Sequence, residues 1–328
     1  MEYPRHVHIT GWGAYAPQRV VTNDELSRII ATSDSWIRDR SGIAERHIAD
    51  DTEHTSTMAT RAARRALRVA GVDPGRVDLV IVSTLTPDYL MPNTASLVQD
   101  SLGASHAGAF DLNAACSGFL YGISVATGLI RNGIHDTVVV IGAESLSRIT
   151  NWTDRSTCVL FGDGAGAVVL EASDKPGGVM TTTVGSDGSG GDLLTARLGT
   201  RIPVYSPAVT ADQLYIKMNG PEVFRFATRI MTQATREVVA SAGLTMDDID
   251  LLVPHQANNR ILQTAAKQLG FPPERIFSNL EHYGNTSSAS VPTTLDEANR
   301  AGWFKPGDKI LMMAIGGGMA WGGALLRW

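Results

Sequence analysis

The sequence predicts an α/β protein built from two pseudo-symmetric halves, and three observations predict it. "AGVDPGRVDLVIVS" from Ala70 recurs in pattern as "AGLTMDDIDLLVP" from Ala242, an offset of 172 that sets Val77-Asp78-Leu79 on Ile249-Asp250-Leu251. The same offset carries "DTVVVIG" at Asp136 onto "DKILMMA" at Asp308, while "GDGAGAVVL" and the C-terminal "AWGGALLRW" correspond at a shorter one. Self-similarity at a fixed spacing marks a repeated structural unit. Helix-like and strand-like runs also alternate within each copy, as in mixed or parallel sheets covered by helices. The boundary falls near residue 173, giving halves 1–173 and 174–328.

The elements follow in order. "TNDELSRII" opens the first helix, with Thr22 or Asn23 as cap and acidic residues in the first turn. Each half then reads as a helix ending at Ala-Gly, a turn and a short apolar strand. An amphipathic helix closing at Leu102-Gly103 or Leu269-Gly270 follows, then another helix and an apolar strand. In "DLNAACSGFLYGISVATGLI" (111–130), Cys116 stands where an extended segment gives way to a helix rich in small residues. At the 172 offset Cys116 falls on Ser288 in "GNTSSASVPTTLDEANRAG", so the two central helices are expected as symmetry partners whose N-terminal ends converge. From Gly185 to Ala211 the chain turns rich in Gly, Ser, Thr and Pro and reads as loop. "FGDGAGA" fits neither phosphate-loop pattern and leads into a strand-like run, so its glycines are expected to serve close backbone packing.

Composition narrows the function. With 43% hydrophobic and 19% charged residues in 328, the chain reads as an ordinary globular protein. A net charge of −5 gives no global field for nucleic acid, so any anionic partner must meet a local basic patch. "MEYPRHVHITGWGAYAP" has neither the pattern of an export signal nor a membrane-length apolar run, and a cytoplasmic protein is expected. Two cysteines, Cys116 and Cys158, are too few for a disulfide framework, and no Cys, His or carboxylate cluster has metal-ligand spacing.

Three residues carry candidate chemistry. A thiol at a helix N-terminus meets unpaired N–H groups and the positive end of the helix dipole, which favour thiolate. Cys116 is therefore read equally as a nucleophile or as a packed core thiol. His255 in "LLVPHQANNRI" follows an apolar strand, a place from which a side chain projects past a sheet edge. Asn285 in "HYGNTSSAS" is by itself an ordinary turn residue. They gain weight only together.

"AACSGF", "PHQANNRI" and "GNTSSASVP", in this order with "GDGAGAVVL" and "GGGMAWGGALLRW", resemble the β-ketoacyl-acyl carrier protein synthase III family, the initiating condensing enzymes of bacterial fatty acid synthesis. The likeness runs from "TSDSWIRDRSGIAERHIA" to the last residues. It implies a thiolase fold, two α/β halves in αβαβα layers, and an acyltransferase working through a cysteine thioester. Its catalytic positions fall on Cys116, His255 and Asn285, with an oxyanion site at the backbone N–H groups of Cys116 and Gly317. It assigns CoA and pantetheine binding to Thr32, Trp36, Arg40, Arg155, Gly220, Phe224, Ala257 and Asn258. It assigns the acyl pocket to Met91, Leu146 and Phe161, and carrier-protein docking to Arg225, Gln256, Arg260 and Lys267. Acyl-CoA and malonyl-acyl carrier protein are the implied substrates, a homodimer the implied assembly, and no cofactor is required. Pro221 and Ile315 depart from the family's common pattern and leave primer length and branching open. The rival readings are a relative recruited to a secondary pathway, handling an unusual acyl group, and a non-catalytic acyl-CoA or carrier-binding subunit.

Overall fold

A computed structural model describes residues 5–196 and 211–328. Among these, nine strands form the principal sheet: β1 (His6–Tyr15), β2 (Leu79–Ser83), β3 (Gly108–Leu112), β4 (Thr137–Ser145), β5 (Asp163–Ser173), β6 (Gly178–Ser186), β7 (Leu251–Pro254), β8 (Lys309–Gly316) and β9 (Ala320–Arg327). Their spatial order is β7-β8-β9-β6-β1-β5-β4-β2-β3. The order is nearly a palindrome about β6 and β1, which meet at one parallel pairing, Val7 with Gly178. Each half places a parallel pair outside, β2 with β4 and β7 with β8, and antiparallel strands toward the join. The counterpart of β3 in the second half shrinks to a single bridge between Leu252 and Ile276.

Six helices complete the layers: α1 (Thr55–Ala70), α2 (Thr94–Leu102), α3 (Gly118–Arg131), α4 (Gly220–Ser241), α5 (Asn259–Leu269) and α6 (Ser290–Arg300). Helices α3 and α6 touch strands of both halves and form the middle layer. Helices α1 and α2 cover the outside of the first half, and α4, with α5 packed on it, covers the second. The period-2 alternation of strand side chains explains how one strand serves two layers. Ile81, Val138 and Val140 point to the middle layer, with Phe119 and Ile123 of α3 and Leu295 of α6. Their neighbours Val80, Val82, Val139 and Ile141 point outward onto Met58, Ala62 and Ala66 of α1. In the second half Leu251, Val253 and Ile310 face in, while Leu252 and Leu311 face out onto Ile230 and Leu262. Such strands read as unbroken apolar runs because both faces are buried.

The repeat is kept to the residue at the centre of the molecule. A tight turn at Ala115–Ser117 leads into α3, and one at Ser287–Ala289 leads into α6, at the same offset of 172. Each turn opens on a left-handed residue, Ala115 with φ 46° and Ser287 with φ 49°. Helices end where the sequence places glycines, with Gly103 and Gly270 both left-handed after α2 and α5. The glycines of "FGDGAGA" serve close approach: a Cβ at Gly166 would lie 2.7 Å from the Thr293 backbone nitrogen. The expected loop from Gly185 is only partly loop. Strand β6 runs to Ser186, and a short strand Leu194–Thr195 pairs with Lys217–Met218. Residues 197–210 of that stretch lie outside the described residues. No described helix is long and apolar enough to cross a membrane.

Candidate active site

Cys116 sits in the tight turn just before α3, where the chain leaves β3, and is 7% exposed. The crossing of the halves fixes its surroundings. Gly316, at the end of β8 in the second half, comes so close that a Cβ there would lie 2.7 Å from the Cys116 backbone nitrogen. Reciprocally, Gly142 of β4 lies under the second turn, where a Cβ would meet the Ser288 carbonyl oxygen at 2.1 Å. Each half thus closes the turn of the other. A thiol at a helix end is expected to have a depressed pKa, and the structure reverses that expectation. Burial pushes the Cys116 thiol up to about 12, with the Glu144 carboxylate acting in the same direction. The Ser287 side chain and the backbone N–H groups of Cys116 and Gly317 pull it down without overcoming burial. The helix end is therefore a set of donors around a neutral resting thiol.

His255 follows β7 directly and is 2% exposed, its backbone N–H donating to the Met313 carbonyl of β8 at 2.7 Å. Its Nδ1 lies 2.5 Å from the Ser290 hydroxyl. Burial lowers its pKa to about 3, so the ring is neutral. Asn285 precedes the second turn; its backbone N–H donates to Leu160 at 2.8 Å and its carbonyl accepts from Gly162 at 3.0 Å. Its side-chain oxygen accepts from the Ser287 backbone N–H at 2.8 Å, which turns Nδ2, the donor end of the amide, away from the turn. Sequence reading missed Ser287 and Ser290. Both stand in "GNTSSASVP", but only the fold shows which of its serines meet Asn285 and His255.

A cavity of about 770 Å³ brings Cys116, His255 and Asn285 onto one wall. This volume lies within the usual range for small-molecule sites. Its buried end holds those three residues; its exposed end holds Arg40, Arg155 and Arg260. Trp36, on the helix Asp34–Ser41, carries both the Arg40 and Arg155 guanidinium groups over its ring, at 5.0 and 4.7 Å from the ring centre. Gly220, Phe224, Ala257, Asn258 and Phe161 also line the cavity. Asn258 caps α5 through its Oδ1, and its Nδ2 donates to the Arg40 carbonyl at 3.0 Å, tying the helix carrying Trp36 to the helix carrying Arg260.

Other expected residues stand elsewhere. Gln256 is a correction: at 1% exposure it offers nothing to a docking protein. Its side chain donates to the Pro254 carbonyl at 2.7 Å and accepts from Ser278 at 2.6 Å, bracing the chain around His255. Met91 is 87% exposed, and Leu146, buried in one apolar cluster with Phe161, is not on the cavity wall, so neither lines the cavity of its own chain. Leu194, Met218 and Ile315 do. Thr32 is not on the cavity wall, and its hydroxyl is buried without a partner. Gly317 acts on the site through its backbone alone. Arg225 and Lys267 are exposed outside the cavity, with Arg225 paired to Glu222. Among the described residues no group of three His, Cys, Asp or Glu could hold a metal ion.

Residues 110–188 match the family described as 3-oxoacyl-[acyl-carrier-protein] synthase III, and residues 239–328 match its C-terminal part. A beta-ketoacyl-[acyl-carrier-protein] synthase III of Symbiobacterium thermophilum is 51% identical over 325 residues, 99% of this chain and 98% of its own length. The crystal structure of 3-oxoacyl-[acyl-carrier-protein] synthase III from Aquifex aeolicus VF5 has a TM-score of 0.92 at 46% identity, covering 98% of this chain and 100% of that one. The priming β-ketosynthase of the R1128 polyketide pathway has a TM-score of 0.94 at 39% identity, covering 100% and 98%. The layered duplication is the thiolase fold, and this chain is one of its acyl-transferring condensing enzymes. It belongs to the β-ketoacyl-acyl carrier protein synthase III family.

Proposed function

We propose that the protein joins an acyl-CoA primer to malonyl-acyl carrier protein with loss of carbon dioxide, giving a 3-oxoacyl-acyl carrier protein that begins a fatty acid. The single observation carrying this reading is the meeting of Cys116, His255 and Asn285 on one cavity with an arginine-lined mouth. The halves divide the work: residues 1–173 supply the nucleophile, and 174–328 supply the histidine and asparagine. Cys116 Sγ attacks the thioester carbonyl, CoA leaves as its thiol, and the acyl group remains on sulfur. The N–H groups of Cys116 and Gly317 accept the charge that gathers on the carbonyl oxygen; removing one such donor typically costs about 10²- to 10³-fold in rate. Malonyl-carrier then binds, and decarboxylation leaves an enolate whose oxygen is held by His255 and by Nδ2 of Asn285. The enolate carbon attacks the acyl-Cys116 carbonyl and expels the thiolate, which takes a proton from water to restore the thiol.

At the mouth, Arg40 and Arg155 meet the CoA phosphates, and Trp36 offers a ring face to adenine. Arg260, with Arg225 and Lys267 outside the cavity, forms the basic patch for an acidic carrier protein. Tyr89, Leu90 and Met91, 61%, 90% and 87% exposed, form an apolar loop that a second subunit covers in a homodimer. The priming role in polyketide synthesis of one structural relative makes a secondary pathway the second reading. A panel of acyl-CoA primers assayed with malonyl-carrier tests both. Condensation with short straight or branched primers supports fatty acid initiation, activity confined to an unusual acyl group supports the second reading, and no acyl-Cys116 by intact mass with any primer defeats both.

A further inference from the structure

The ring of His255 meets a hydroxyl where many catalytic histidines meet a carboxylate, and the hydrogen-bond accounting around that hydroxyl is closed. Ser290 is the first residue of α6 and is 1% exposed. Its oxygen has two neighbours, Nδ1 of His255 at 2.5 Å and the backbone nitrogen of Gln256 at 3.4 Å. A backbone N–H can only donate, so the Gln256 contact uses an oxygen lone pair and leaves the hydroxyl hydrogen for Nδ1. The reverse arrangement, with Nδ1–H donating to Ser290, strands that hydrogen in a buried site, since no other described group accepts from it. No carboxylate pairs with the ring among the described residues. The ring also faces the N-terminal end of α6, whose positive pole opposes a second ring proton.

We propose that Ser290 is the positioning residue that fixes the tautomer of His255, donating to Nδ1 so that Nε2 carries the hydrogen and faces the cavity as a donor. The proposal rests on the condensing reading above and deepens it. A ring held this way has no free lone pair at Nε2, so His255 stabilises the enolate oxygen and does not remove the proton of Cys116. That proton instead ends on the sulfur of the departing CoA, which leaves as a thiol, so the acylation step balances without His255. Helix α6 therefore has two tasks: its preceding turn orients Asn285, and its first residue orients His255.

Solid-state ¹⁵N NMR of the full-length protein labelled at histidine reads the tautomer directly, with His255 assigned by the resonances lost in His255→Asn. The expected result at pH 7 is a protonated Nε2 and a bare Nδ1; a protonated Nδ1 overturns the proposal. In Ser290→Ala the expected result is a mixture of both tautomers, and decarboxylation of malonyl-carrier slowed about 10- to 100-fold more than acylation of Cys116, the range for lost orienting partners of catalytic histidines at metal sites. Equal slowing of the two half-reactions overturns it. If the unaltered protein neither takes up acyl groups nor decarboxylates malonyl-carrier, the condensing reading fails while the NMR result still judges the tautomer.

Discussion

The state of the Cys116 thiol can be tested by how its alkylation depends on pH. An ordinary thiol titrates near 9.0, whereas burial lifts this one to about 12. The charged form is the disfavoured one, so at pH 8 the thiolate fraction falls from about one in ten to about one in 10⁴, a difference worth about 4 kcal/mol. Iodoacetamide attacks only the thiolate, so the rate at Cys116 should rise about tenfold per pH unit from 7 to 10 without levelling. Peptide mass spectrometry separates this site from Cys158, whose thiol burial raises to about 11. A second arm alters Glu144, a fully buried carboxyl that accepts from Thr86 at 2.7 Å and Ser288 at 2.8 Å and whose charge opposes thiolate at Cys116. Glu144→Gln removes that charge and should raise the Cys116 rate at pH 9, with the Cys158 peptide as internal reference. A plateau below pH 9 in the unaltered protein would refute the reasoning, because the helix end and the two N–H donors would then outweigh burial.

Three further outcomes follow from the same geometry. Because the folded pKa of His255 lies near 3 against an ordinary 6.5, the unfolded chain binds the extra proton first. This group's stabilising contribution is present above pH 6.5 and lost as pH falls toward 3, amounting to about 2 kcal/mol by pH 5. Urea unfolding at pH 7.5 and 5 should therefore show His255→Asn losing less stability than the parent, and parallel losses would rule the effect out. Gly316→Ala puts a Cβ 2.7 Å from the Cys116 nitrogen and 3.1 Å from that of Ser117. Acylation, read by intact mass, should slow by about 10²-fold or more as an oxyanion donor moves, with about 1–3 kcal/mol lost in stability; unchanged acylation contradicts the placement of that donor. Arg260→Glu should raise KM for malonyl-carrier by more than it slows acylation by acyl-CoA, and equal effects on both steps would remove Arg260 from the docking face.

Most of the architecture could be read from the chain because the signals were local or periodic. The 172 offset returns in the turns at Ala115–Ser117 and Ser287–Ala289, and Gly103 and Gly270 end their helices by left-handed geometry that glycine suits. Cys116, His255 and Asn285 were legible through motifs that each sit next to a strand or turn boundary. What the chain did not disclose depends on three-dimensional neighbours. The helix end near Cys116 argued for a low pKa, yet burial opposes it in a site where Gly316 of the other half packs against the Cys116 backbone nitrogen. Gln256 reads as a polar surface residue beside His255, but turns inward onto Pro254 and Ser278. Leu146 and Phe161 look alike as pocket candidates, and only the packing puts Phe161 on the cavity wall and leaves Leu146 off it.

The matching left-handed residues Ala115 and Ser287 bear on the descent of the site. A non-glycine residue held in that region costs about 1–3 kcal/mol, so its survival in both copies calls for a common cause. Only the first copy has sulfur after it. In the second, the residue matching Cys116 is Ser288, whose hydroxyl is engaged by the Ser83 carbonyl and by Glu144 at 2.8 Å each. The contortion therefore belongs to the duplicated framework and not to the nucleophile. The second bend, carrying no sulfur, instead fastens the start of α6 to the first half, through Ser83 and Glu144.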